Sequence, residues 1–97
     1  MKRFVTFILI LFFVISIPAQ VKLADILYDN FEYELAAELY EKADSLSQKQ
    51  LKNHALCYYL KNEFHRSIPL FEKALSKDSN DMFLKYHYSI SLKSTGR

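Results

Sequence analysis

Three histidines (His54, His65 and His87), one cysteine (Cys57) and the carboxylates of Glu38 and Glu41 are the side chains in this 97-residue chain whose types suit chemistry. A metal site on one helix needs imidazoles at i, i+3 or i, i+4, since only those spacings put two rings on one face. No pair of the three histidines meets that spacing, so exposed or partly satisfied rings are expected. Ser67 near His65 lacks a nucleophile-elbow setting, and Glu38 with Glu41 reads as a solvated helix face. The lone mature-chain glycine, Gly96, leaves no phosphate-cradling loop. Cys57 has no partner for an internal disulfide or a thiolate-rich zinc site, and burial as a small hydrophobe is its expected fate. These residues predict no enzyme, no cofactor and no metal.

The elements that carry them begin after an apolar segment. From Phe4 to Ile17 only Thr6 and Ser16 are not strongly apolar; Lys2 and Arg3 precede the run, and Pro18-Ala19-Gln20 follows it. That is the layout of a signal peptide cut after Ala19. A membrane-spanning helix needs ~20 apolar residues, more than this run supplies. The expectation is a signal peptide at 1–19, a helical domain at 20–97, export to the periplasm or outer membrane of a bacterium, and no stable membrane insertion after cleavage.

Setting Lys2 and Arg3 aside leaves eleven basic and eleven acidic residues, so the formal charge of +2 belongs to the leader. The remainder is polarised: residues 20–50 hold three Lys against seven Asp or Glu, and residues 51–97 hold eight basic against four acidic. With no basic stripe in a neutral chain, nucleic acid is not an expected partner.

Beyond the leader there is one Pro, Pro69, and one Gly, and apolar residues recur at three and four, so helices are expected and strands are not. Leu23, Ile26 and Leu27 mark one helix face, and Leu35, Ala36, Leu39, Tyr40 and Ala43 the next, with a break at Asp29-Asn30-Phe31-Glu32. The plan repeats with Leu51, Ala55, Leu56, Tyr58 and Tyr59, a break at Lys61-Asn62-Glu63, then Ile68, Phe71, Ala74 and Leu75. A further helix starts at Asp81. The phrase "AAELYEKA" at 36–43 returns 31 residues later as "SIPLFEKA" at 67–74. Pro69 is compatible with its helix because it falls near the start.

Tyr33, Ala36, Tyr40, Ala43 and then Phe64, Ser67, Phe71, Ala74 follow an aromatic, small, aromatic, Ala series. On the preceding helices Ala24 pairs with Leu27, Ala55 with Tyr58 and Ser89 with Leu92. In these features the chain resembles the tetratricopeptide repeats, helix-turn-helix units of 34 residues. Phe31 and Asn62 stand where the family usually has a turn glycine, Ser67 replaces the usual alanine, and Gln48 and Ser79 lack the closing proline; Gly96 falls at the third turn. The resemblance implies an all-α fold of antiparallel hairpins stacked as a short α-solenoid, with units at about 20–47 and 51–79 and a half unit at 82–97.

The resemblance further implies a concave surface lined by the first helix of each unit. It assigns Asp25, Tyr28 and Asp29 in the first, Lys49, Lys52, Leu56, Tyr59 and Leu60 in the second, and Phe83, Tyr86, Ile90 and Lys93 in the third. An aromatic and aliphatic groove rimmed with Lys suits a peptide carrying a few acidic groups. The implied function is protein binding, as a module or scaffold in the cell envelope. The alternative is the leading part of a longer protein, since a signal ending Ala-Gln and running into "LYDNFEYELAAELYEKA" is similar to the repeat region before OmpA-like domains. Self-association through the unpaired last helix is also open.

Overall fold

A computed structural model describes residues 19–96. The expected leader therefore lies, except for Ala19, outside the described residues, as does Arg97. The described chain is wholly helical, without a strand. Residues 19–29 form α1; α2 spans Tyr33–Lys42, α3 Gln48–Leu60, α4 Phe64–Lys77 and α5 Met82–Ser94.

Two of the starts and three of the stops have a clear local cause. Ser47 opens α3 with a capping box: its hydroxyl accepts the Gln50 amide, and the Gln50 side chain accepts the Ser47 amide at 3.0 Å. Leu46, just before that cap, packs on the cluster holding Leu51, which braces the chain as it enters the helix. Asp81 opens α5 by accepting the Leu84 amide at 3.1 Å. At the other ends, Phe31, Asn62 and Gly96 adopt left-handed backbone, with φ of 65°, 62° and 80°. The Phe31 and Glu32 amides reach back to the Tyr28 and Leu27 carbonyls; Asn62 and Glu63 do the same to Tyr59 and Tyr58. Both are Schellman closures, which satisfy carbonyls the helix end leaves orphaned. Gly96 donates likewise to the Lys93 carbonyl at 3.1 Å.

These turns fold α1 against α2 and α3 against α4, and α3 is the central element, touching α2, α4 and α5. One side of it, Cys57 and Tyr58, joins Ala24, Ala36, Ala37 and Tyr40. The other, Leu51, Ala55 and Leu56, joins Phe71, Ala74 and Leu84. Five alanines in these clusters (Ala24, Ala36, Ala37, Ala55 and Ala74) are at most 2 % exposed, so helix backbones approach closely where they meet. Ser67 and Ser91, both fully buried, meet with hydroxyls 3.3 Å apart where α4 crosses α5. Pro69 sits exposed in α4, which continues through it to Lys77.

Several faces differ from the sequence expectation. Leu23, Ile26 and Leu35 are 46 %, 56 % and 50 % exposed, and Ala37 takes the buried place expected of Leu35. Periodicity marks an apolar stripe but not which flank of it a neighbour covers. Ser89 is exposed and Ser91 buried, because among the described residues no helix lies on the Ser89 side of α5.

Candidate functional site

The first two and a half turns of α3 and the start of α5 flank an open hollow of about 410 Å³. Four expected groove residues, Lys49, Lys52, Leu56 and Phe83, line it together with Gln48, Asn53, Asp78 and Asp81. Leu56 is buried at its floor and Phe83 is 46 % exposed at its edge. Lys52 is committed within the protein: its Nζ lies 2.8 Å from Asp81 Oδ2 and 5.3 Å from the centroid of the Phe83 ring. That Lys52 bond, helped by the Leu84 amide, holds the Asp81 carboxyl below the usual carboxylate range. Lys49 is the exposed cation left at the rim.

Gln48 donates through Nε2 to the Ala74 carbonyl at 3.0 Å, while its Oε1 is buried without a hydrogen-bond partner. Asn53 donates to the Tyr40 hydroxyl at 3.4 Å, and that hydroxyl donates to Asp25 Oδ1 at 2.6 Å. Gln50 Nε2 adds a 3.1 Å bond to Asp25 Oδ2, so Asp25, expected in the groove, ties α1 to α2 and α3. Burial and the Asp25 bond together push the Tyr40 hydroxyl pKa up.

A second group of expected residues converges on one ring. Tyr59, Phe83 and Tyr86 lie 4.9, 4.1 and 5.2 Å from His87 by ring centroids. Tyr59 also meets Phe64 and Phe71 edge-on, so its body belongs to the core, whereas Tyr86 is 64 % exposed. The hollow is thus extended along α5 by a half-open aromatic surface. Tyr28, Leu60, Ile90 and Lys93 do not line the hollow. Tyr28 is half-buried, packs on both core clusters and meets Tyr33 at 5.6 Å; burial raises its hydroxyl pKa to about 12. Leu60 and Lys93 are exposed and Ile90 half-buried.

Sequence reasoning did not place Gln48, Asn53, Asp78, Asp81 or His87 at the groove. Asp81 had a signal, since an Asp directly before an apolar periodic run is a helix cap and a cap sits at a helix mouth. His54 also departs from expectation: it is buried between the Tyr40 and Tyr58 rings, each 5.8 Å away. Its Nε2 has no hydrogen-bond partner and lies 3.7 Å from Glu41. Burial lowers its pKa; Glu41 opposes the shift, and Lys73 and Arg66 add to it. Glu41, expected on a solvated face, accepts the Tyr58 hydroxyl and lies 3.9 Å from Arg66. Cys57 is fully buried, and burial pushes its thiol up to about 12, so it is an inert packing group.

Among the described residues no group of three His, Cys, Asp or Glu side chains could hold a metal, and no helix is long and apolar enough to cross a membrane. What fold and site define together is an all-helical protein with an open, mixed polar and aromatic hollow between two of its helices. The chain matches no protein-family model, no curated protein and no solved structure.

Proposed function

We propose that this protein is an exported binding module of the tetratricopeptide type, which holds a peptide segment of another envelope protein and performs no chemistry itself. The observation that carries the reading is the hollow, where buried Leu56, exposed Phe83 and free Lys49 stand at one opening. Apolar contact supplies affinity, and Lys49 selects for an acidic group. The solenoid reading draws on the doubled aromatic, small, aromatic, Ala series and on left-handed turns at corresponding positions in successive pairs.

A photo-reactive phenylalanine analogue placed at Tyr86, and separately at exposed Ser76 on α4, tests the reading in the bacterial envelope. The expected result is one adduct of defined mass from position 86, absent from position 76 and lost when Lys49→Glu is added. Adducts indifferent to Lys49→Glu would remove the groove reading.

The exposed Ser89 side of α5 favours a second reading, in which this chain leads a longer OmpA-like envelope protein whose next helix covers that side. The intact mass of the native envelope protein separates the two. A mass equal to residues 20–97 supports cleavage after Ala19 and a self-contained module; an excess beyond the leader supports the longer protein.

A further inference from the structure

The hollow between α3 and α5 carries charge of both signs, arranged wall against wall. From α3, Lys49 and Lys52 stand three residues apart on one side of the helix. Facing them from the turn between α4 and α5 are Asp78, the C-terminal cap of α4, and Asp81, the N-terminal cap of α5. The inner pair is closed: Lys52 Nζ lies 2.8 Å from Asp81 Oδ2, and Asp81 also accepts the Leu84 amide.

The outer pair is open. Lys49 and Asp78 are both exposed, and among the described residues neither forms an ion pair. Asp78 Oδ1 accepts the Asn80 amide at 3.3 Å, which leaves the charge of the carboxylate unneutralised. One carbonyl brings the two residues to the same mouth. Ala74 O accepts both Gln48 Nε2 at 3.0 Å and the Asp78 amide at 3.2 Å, and Lys49 directly follows Gln48.

That pairing of walls restricts what can enter. A purely acidic segment meets Asp78 as well as Lys49, and a purely basic one meets Lys49 as well as Asp78. A segment with one group of each sign satisfies both walls, while its apolar part lies on Leu56 and Phe83.

We propose that the partner segment carries both signs: an acidic side chain for Lys49 and a basic one for Asp78, together with an apolar residue for Phe83. This rests on the peptide-binding reading and narrows its ligand. Because Lys52 and Asp81 neutralise each other, the outer pair alone sets the order of the two charges along the segment.

The test is selection of random octapeptides, displayed on phage, by the protein purified from the bacterial envelope. Peptides enriched by the wild type should carry an acid and a base at a constant spacing. In fluorescence anisotropy, Asp78→Asn and Lys49→Gln should each weaken the best selected peptide by about three-fold, the size of one exposed ion pair. Lys49→Asp combined with Asp78→Lys reverses the walls, and the swapped protein should select the two charges in the opposite order. An order unchanged by the swap would overturn the proposal. Selected peptides that carry acids alone, depend on Lys49 and ignore Asp78→Asn would overturn it while leaving the groove reading in place. Enrichment of no peptide would overturn it as well, and the adduct at position 86 then decides whether the groove reading falls with it.

Discussion

At the residue scale, His54 is the clearest case of a side chain whose neighbours set its behaviour. A buried imidazole packed between two tyrosine rings resists taking a proton, so its pKa is lower folded than in the unfolded chain, where it is about 6.5. The unfolded state then binds more protons below that value. Stability is complete above about pH 6.5 and falls as the pH drops toward the folded pKa. Urea midpoints of the wild type should decline between pH 7.5 and pH 5.5, and those of His54→Gln should decline less over the same range. A wild-type midpoint that stays flat would contradict this account of His54.

Phe31 shows a second residue-scale conflict. A phenylalanine at φ 65° carries the strain of left-handed backbone, roughly 1–2 kcal/mol, while its ring is 77 % exposed and meets the Tyr33 ring edge-on at 6.2 Å. Glycine removes the strain and alanine retains it. Phe31→Gly should therefore be more stable than Phe31→Ala by about 1 kcal/mol in chemical denaturation. Equal stabilities would mean that the turn does not hold this conformation.

At the scale of elements, the crossing of α4 and α5 depends on two small residues. Ser67 donates to the Phe64 carbonyl at 2.9 Å and Ser91 to the His87 carbonyl at 2.9 Å, so both hydroxyls are satisfied while the helices lie close. Ser67→Leu would force the helices apart, at about 1–3 kcal/mol for overpacking, whereas Ser67→Ala keeps the approach and loses about one hydrogen bond. Amide exchange should quicken throughout α5 in Ser67→Leu and change little in α2. Uniform quickening in every helix would show instead that the array unfolds only as one unit.

At the scale of the whole molecule, α3 is enclosed by α2, α4 and α5, while α1 and α5 present open faces. Stability in such an array is assembled from neighbour contacts, so opening starts where neighbours are fewest. Amides of α3 should exchange slowest and those of α5 should exchange well ahead of them in the wild type. Exchange in α5 as slow as in α3 would mean that its open face is covered in solution. Repeating the measurement at ten-fold dilution tells cover by association from cover within one chain, because only association weakens with dilution.

Much of this architecture is written in local signals. The caps at Ser47 and Asp81, the breaks at Phe31 and Asn62 and the run of helix-compatible residues depend on near neighbours in the chain, so the sequence alone determined the starts of α3 and α5 and the turns that close α1 and α3. It also determined that Ala36 and Tyr40, and again Ser67, Phe71 and Ala74, share a buried face, because that spacing closes on one side of a helix whatever lies opposite. What it left undecided depends on partners distant in the chain. Lys52 finds Asp81 across 29 residues, Tyr40 finds Asp25 across 15, and His54 on α3 is packed against the Tyr40 ring of α2. Only the tertiary structure decided that Lys52 is committed while Lys49 is free, that Ser91 rather than Ser89 is buried, and that Leu35 faces outward. Periodicity fixes the phase of a helix face, and burial of its flanks is settled only when another helix arrives.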